Sequence, residues 1–454
     1  MKIFSDTKIY IACPGNSHTG GPELLHQTCS LLIQYGLNAQ MFYTLGNRDN
    51  PVNEFYRKYH LPYVWEVEDD PHNVLIFYEM IDALYYEYNR VQKIFWWLSV
   101  DNYLHHLSAI ISNVADNALA APLPKFFYFQ DTEKDTEHWV QSEYARRFVL
   151  LNGVHEKNIY VVEDYLSQAF LSKAASVDFD KKEDIVAFNP GKGLNVTRRL
   201  IKFAPAIDWL PIKNMTPEQV QQALSKAKVY IDFGNHPGKD RIPREAAISG
   251  CVVVTGRRGA AGNDIDVNIP DEFKFGETDE ELYSALEKIC EIFQNFKIFY
   301  DKQKSYREKI LDNKRRFEIQ VAEACGLKST EKINSVALWQ GYSLKSLQLL
   351  ENFSAEDFPF VPKFVVDDDL GNGQRLDLEF VTRRDNHNFF DINNAGRNGG
   401  GWIPFISADD AKFLYAEGRI KKFVLLNPDE MEIKSLLEKI NPAAADVLLL
   451  RHEQ

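Results

Sequence analysis

Long apolar runs are missing from this sequence, and so is any excess of positive charge. The chain has 454 residues, and no stretch approaches the ~18 apolar residues of a membrane-spanning helix. Its opening, Met1 to Gly15, holds no apolar segment long enough for a signal peptide. The expectation is a soluble cytoplasmic protein, one still able to sit at the inner face of a membrane beside an anchored acceptor. The net charge of -13 excludes the broad basic face that nucleic acid requires, but leaves room for one small basic pocket. Cysteine is scarce: five residues, at 13, 29, 251, 290 and 325, without a CxxC pair. An odd, scattered set reads as reduced thiols rather than a disulfide framework. No internal repeat is present.

What the sequence does have is aromatic bulk and a regular alternation. Its 30 Phe and 21 Tyr allow large, well-filled cores. At ~150 residues per domain, about three domains are expected. The β-rich run Lys8 to Cys13 ends at Pro14-Gly15. Leu24, Leu25, Thr28, Leu31 and Leu32 then form the apolar stripe of a helix over 23–35, closed by Gly36. Strands are predicted at 39–44, 73–79, 93–100 and 125–130. Their continuous apolar character suits a parallel sheet covered on both faces. A second set follows at 184–190, 207–212, 228–234 and 251–256, with a helix opening at Thr216-Pro217-Glu218. This rhythm predicts an α/β protein with two doubly wound, Rossmann-like domains, at 1–170 and 171–335. Residues 279–325 read as helical and charged, long enough to pack back across both halves. From 355 to 454 the texture becomes turn-rich, through Asp367-Asp368-Asp369 and Gly399-Gly400-Gly401, before strand–helix–strand returns at 422–428, 430–440 and 446–450. That region reads as a small accessory α/β domain of unknown role.

Three loops carry candidate chemistry. Pro14 to Glu23 joins the first strand to the first helix, where open α/β sheets bind ligands. Gly20 and Gly21 would let the backbone approach a ligand, and helix-start amides favour anions. The loop is neither a GxGxxG fingerprint nor a P-loop, and because a lone Gly-Gly is a weak signal, a tight turn capped by Ser17 or Thr19 explains the segment by itself better. Asn189 to Arg199 follows the first strand of the second domain. There Lys192, between two glycines, is either a phosphate ligand or a solvated charge, while Arg198 and Arg199 suit solvent better. The most specific loop is Gly234 to Gly256. It gathers Lys239, Arg241 and Arg244 around Glu245 in an otherwise acidic protein. The basic residues suit a diphosphate, and a carboxylate at a helix start suits ribose hydroxyls; the alternative is a capping Glu among solvated charges.

Glu245-AAISGCVVVTG resembles the EAxAxGxPV nucleotide signature of family-four-like GT-B glycosyltransferases, and Gly20-Gly21-Pro22-Glu23 resembles their GGxE loop. Trp139 to Leu166 looks like the segment that leads to their interdomain linker. Together these cover about residues 1–330, in the right order. The resemblance implies a nucleotide-sugar donor on the C-terminal domain, with Glu245 at its ribose and Lys192 at its diphosphate. It implies an acceptor, glycan or glycolipid, on the N-terminal domain, with the Gly20-Gly21 loop facing the donor across the cleft. Bacterial surface polysaccharide or lipopolysaccharide synthesis would follow. One departure stands out: Pro237 occupies the first place of the family's E-x7-E pair. That leaves the sugar contacts, and retention against inversion, open.

The reaction would displace a nucleoside diphosphate with an acceptor hydroxyl, with fixed cations stabilising the leaving group and no cofactor or metal. Asp367-Asp368-Asp369 reads as an acidic turn rather than a metal site. His18 is the candidate general base for inversion, with His236 second. Trp97, Asp101 and Asn102 are acceptor candidates, because aromatic faces stack on sugar rings; Asp101 as a helix N-cap and the tryptophans as core are the competing readings. Two rival functions share the fold: a sugar-nucleotide epimerase and a non-catalytic sugar-binding subunit.

Overall fold

A computed structural model of the chain describes residues 1–4, 6–17, 19–116, 126–132, 136–171, 177–327, 336–339, 364–366, 381–384, 387–391, 402–418, 420–426 and 430–450. They form two compact units. Unit 1 comprises Met1–Ala12 and Val67–Thr330, and unit 2 comprises Cys13–Glu66 and Glu331–Gln454.

In chain order, the first elements are β1 (Lys8–Cys13), α1 (Gly20–Gln34), β2 (Asn38–Tyr43), β3 (Tyr63–Val64), β4 (Val74–Tyr78), α2 (Leu84–Glu87) and β5 (Gln92–Trp97). There follow α3 (Val100–Asp116), β6 (Glu137–Val140), α4 (Glu143–Leu151), β7 (Ile159–Val161) and α5 (Gln168–Leu171). The next series is β8 (Glu183–Phe188), α6 (Leu194–Phe203), β9 (Asp208–Pro211), α7 (Pro217–Lys226), β10 (Ala227–Asp232), α8 (Arg241–Ile248) and β11 (Val252–Thr255).

Unit 1 holds two parallel arrays, as the alternation predicts for an α/β fold. In the first, β1, β4, β5, β6 and β7 pair in that order, all parallel. Every residue of β4 is buried, as is β5 from Lys93 to Trp97, the burial that continuous apolar strands require. The second sheet runs β11-β10-β8-β9, also parallel. Thr216 starts α7 with a full capping box to Gln219 and Pro217 just inside. The edge strand β11 is covered in part by one side chain: Gln303 donates to Val253 O at 2.7 Å and accepts from Val253 N at 2.9 Å, while Phe275 N donates to Thr255 O at 3.0 Å.

Two expectations are corrected here. Within the apolar run 125–130, the described residues 126–130 are not a strand. Phe126 and Phe127 are buried, but Phe127 N donates to Asp82 Oδ2, and Phe127 O accepts from the Tyr103 hydroxyl, so side chains satisfy the backbone that a ladder would otherwise claim. The strand that pairs with β5 is β6, whose last two residues open the Trp139 to Leu166 segment. The helical stretch after 279 is three helices: α9 (Asp279–Gln294), α10 (Phe296–Lys302) and α11 (Lys304–Ala324). Breaks fall at Asn295 and Gln303. Helix α11 packs against both α8 and β7, the last strand of the first array.

In unit 2, β2 and β3 pair in parallel. Gly36 adopts φ 79° after α1, as a helix-terminating glycine should. The C-terminal part has β12 (Val336–Trp339), β13 (Phe364–Val366), β14 (Val381–Arg384), β15 (His387–Asp391), β16 (Trp402–Ile406), α12 (Ala408–Ala416), β17 (Lys422–Leu426), α13 (Glu430–Lys439) and β18 (Val447–Leu450). They make one mixed sheet in the order β14-β15-β16-β13-β12-β17-β18, parallel except for the antiparallel run β14-β15-β16. Helix α12 docks on the segment Glu54–Tyr59 of the same unit. Phe413 meets the Tyr59 ring edge-on at 5.6 Å, and His60 Nε2 lies 3.3 Å from Asp410 Oδ2. Asp367-Asp368-Asp369 and Gly399-Gly400-Gly401 lie outside the described residues. Among the described residues, no helix is long and apolar enough to cross a membrane.

Candidate functional site

The second sheet of unit 1 reverses its direction of growth at β8. From β8 the chain moves outward to β9, then crosses back to place β10 on the other side. Such a reversal opens a crevice at the carboxyl ends of the two diverging strands, the place where open α/β sheets bind ligands. The loops after β8 and β10 meet there. Gly193, at φ 59°, starts α6, and a Cβ on it would sit 2.5 Å from Gly234 N. Both the left-handed conformation and that approach demand glycine. Gly193→Ala is therefore expected to force the two loops apart, by strain of at least about 1 kcal/mol before the clash is counted. A lowered thermal midpoint checks this.

Lys192 leads into that contact. Its ammonium donates to Asp240 Oδ1 at 2.7 Å and remains one-third exposed. Behind it, Asp232 at the end of β10 accepts from Gly234 N at 3.0 Å and from the Tyr230 hydroxyl at 3.2 Å. Burial pushes the Asp232 carboxyl up, but His236 and the Gly234 amide overcome it and leave the pKa lowered. For Asp240 burial prevails over His236 and Lys192, and the pKa is raised. The loop after β11 joins through a bridge between His236 and Gly259, with Ala260 N donating to His236 O at 2.8 Å. Glu245 lies half-buried on α8, within electrostatic range of Tyr230.

The basic residues of the third loop do not gather on a ligand face, and this corrects the expectation for two of them. Lys239 is buried and pairs with Glu163, with Asn313 Oδ1 at 3.3 Å. Arg244 is 1% exposed and donates to Asp164 Oδ2 at 2.7 Å, Lys239 O at 2.8 Å and Asp240 O at 3.0 Å. Arg241 Nε stands 3.6 Å from the same Asp164 carboxylate. Burial raises the Glu163 and Asp164 carboxyls, yet their cations hold both below the usual range. The two acids lie one residue beyond the end of β7, so these cations clamp the segment leaving the first array. Sequence reasoning missed Glu163-Asp164, though two adjacent carboxylates inside the apolar run VVEDYL were the available signal.

Trp97 is a second correction. It is fully buried, stacked on Phe95 at 4.3 Å and on Phe129 at 5.2 Å, with Nε1 donating to His138 Nδ1 at 2.9 Å. Burial drives His138 down to about 4, so it is the neutral acceptor this bond needs. Trp97 therefore offers no face to a sugar. Asp101 fares differently. Ser99, not Asp101, accepts from Asn102 N at the start of α3, which frees the Asp101 carboxylate to accept from the Tyr144 hydroxyl at 3.0 Å. Asp101, Leu104, His105, Tyr144, Asn235 and Gly259 line a depression of about 230 Å³. It abuts the loops after β10 and β11. Asn102 is exposed beside it. Pro237, in the place expected for a glutamate, lends only its carbonyl, which accepts from Val100 N at 3.0 Å.

Gly20 and Gly21 form the first turn of α1 in unit 2, and Thr19 makes no side-chain cap bond there. His18 lies outside the described residues. Unit 1 thus brings Lys192 to Asp240 and Asn235 to the Asp101–Tyr144 pair, with Glu245 on the helix α8 that follows Asp240.

No protein-family model and no curated protein matches the chain. Among solved structures it is similar to Anabaena HepE in complex with UDP-glucose, at 12% identity over 70% of this chain and 99% of that one, with a TM-score of 0.44. It is similar also to the apo lipopolysaccharide outer core galactosyltransferase WaaB, at 10% identity over 69% and 99% of the two chains, with a TM-score of 0.40. A third is the catalytic domain of Arabidopsis thaliana starch synthase IV bound to ADP and acarbose, at 10% identity over 70% and 97%, with a TM-score of 0.39.

Proposed function

We propose that this chain is a glycosyltransferase that moves a sugar from a nucleotide-sugar donor to a hydroxyl of a glycan or lipid-linked acceptor. The observation that carries the reading is the position of Lys192: a partly exposed ammonium at the reversal point of the second sheet, seated on a glycine-lined junction of two loops. A diphosphate placed there meets a cation and the amides opening α6. Glu245 is the residue for the donor ribose. The Asp101–Tyr144 depression adjoins one of these loops, the one after β10, and offers hydrogen-bonding groups for sugar hydroxyls.

In the reaction the anomeric carbon–oxygen bond to the diphosphate breaks, and a bond to the acceptor oxygen forms. Charge builds on the leaving diphosphate, where the fixed ammonium of Lys192 stabilises it without reorganisation. The acceptor proton leaves to a base for an inverting course, or to the departing phosphate for a retaining one. A role at the inner face of a membrane, in surface polysaccharide or lipopolysaccharide assembly, accords with the acceptor class.

The test is a thermal-shift screen of nucleotide sugars on the full chain, followed by an assay of nucleoside diphosphate release. A true donor raises the melting temperature by mass action, since it binds only the folded state. Release should require an acceptor. Donor conversion without acceptor would assign an epimerase instead, and no release with any pair would sink the enzyme reading. Glu245→Ala is expected to weaken the identified donor about tenfold or more while leaving the melting temperature unchanged. Unaltered donor affinity would remove the nucleotide from α8.

A further inference from the structure

His236 is buried to 1% exposure, and both of its ring nitrogens face carboxylates. Nε2 lies 3.5 Å from Asp232 Oδ1 and Nδ1 lies 3.4 Å from Asp240 Oδ2. A neutral imidazole carries one N–H and one lone pair, so one of these two contacts would set a lone pair against a carboxylate. Only the doubly protonated ring presents a donor to each side. The second carboxylate, Asp240, is the one that holds the Lys192 ammonium.

We propose that His236 is a positioning residue for donor binding: its imidazolium spans Asp232 and Asp240 and so fixes the carboxylate that aims Lys192. The proposal rests on the reading that Lys192 binds the donor diphosphate. With His236 charged, Asp232, Asp240, His236 and Lys192 sum to zero. Loss of the proton leaves the group at one negative charge, beside a ligand that brings more.

The groups facing His236 come from several elements. Asp232 stands at the end of β10, Asp240 just before α8, and Lys192 on the loop after β8. Tyr230 of β10 and Tyr306 of α11 lie within reach of both carboxylates, and burial keeps these two phenols neutral. Glu245 of α8 acts on Tyr230. Burial alone would lower the His236 pKa, but Asp232 and then Asp240 outweigh it and Lys192, and the net direction is upward. One atom each from Asp232, His236 and Asp240 also lie within 4.8 Å of one another, a spacing open to a divalent cation. Two features favour the imidazolium. The carboxylates sit against opposite ring nitrogens, and a lysine already occupies Asp240.

The experiment measures inorganic pyrophosphate binding to the full chain by phosphorus NMR between pH 6 and pH 9. Comparing chains at each pH cancels the ionisation of the probe. Lys192→Met should weaken binding about tenfold at pH 6. His236→Gln should weaken it by a similar factor at pH 6 and converge on the wild type at pH 9. The double variant should bind like Lys192→Met alone, because one residue acts through the other. If Lys192→Met binds as wild type, the donor placement itself falls. If Lys192→Met weakens binding but His236→Gln does not, or if their effects multiply, the positioning role falls and the donor site stands. Loss of binding in EDTA with recovery in Mn²⁺ would replace the imidazolium with a metal. Nitrogen-15 histidine labelling of the wild type covers failure of His236→Gln to fold. Two protonated ring nitrogens at pH 7 are expected, and a neutral tautomer overturns the proposal.

Discussion

Replacing Arg244 with methionine is expected to destabilise unit 1 by about 3–5 kcal/mol at neutral pH, the cost of leaving a buried carboxylate without its partner. The guanidinium satisfies Asp164 and two carbonyls, and both charged groups are almost fully enclosed. Arg241 at 3.6 Å cannot take over, since its own geometry is poorer. Acid should change the size of the deficit in a defined direction. In the wild type the Asp164 pKa is depressed, so its contribution is complete above the ordinary carboxylate range and is lost as pH falls through the folded value. In Arg244→Met burial acts with less opposition and the pKa rises. Protonation then relieves the buried charge, and the gap to wild type narrows from pH 7 toward pH 4. Asp164→Asn combined with Arg244→Met should recover much of the loss in urea unfolding, with a coupling energy between the two sites. A solvated Arg244 serving a diphosphate would instead give wild-type unfolding and weakened donor binding.

Trp97→Ala is the second large effect, expected to cost about 3–5 kcal/mol through the cavity left by a fully buried indole. The loss has two parts. The ring packs against Phe95, Phe129, Tyr103 and Phe148, and its N–H satisfies His138. Trp97→Phe keeps most of the packing, so a smaller loss is expected, with acceptor KM unchanged once an acceptor is known. Asp101→Ala, whose side chain lines the depression, should raise that KM with little change in stability. A raised acceptor KM in Trp97→Phe at unchanged stability would return the ring to the site.

Much of the frame was readable along the chain. Val74–Tyr78 and Ile94–Trp97 are continuous apolar segments because both faces of a parallel strand are covered, and that burial leaves its mark in composition. Thr216-Pro217 and Gly36 announce a helix start and stop because capping is settled within four residues. The Lys192 and Glu245 loops stood out because glycine and isolated charge are unusual at strand ends. The misreadings share a different cause. Phe126 and Phe127 look like strand residues, yet the Phe126 carbonyl accepts from the Tyr86 hydroxyl, and Asp82 and Tyr103 take the Phe127 amide and carbonyl. Lys239 and Arg244 look like a phosphate cradle, but Glu163 and Asp164 neutralise them from some 75–80 positions earlier.

The sequence by itself determined that this is an α/β protein of alternating strands and helices, and which loops carry glycine and charge. Periodicity and capping are local, and local chemistry survives in one dimension. Only the tertiary structure decided which charges face a ligand and which face each other. Burial and charge pairing depend on residues that meet through folding: the same lysine or arginine is a ligand when its partner is absent and a clamp when a carboxylate arrives from another strand.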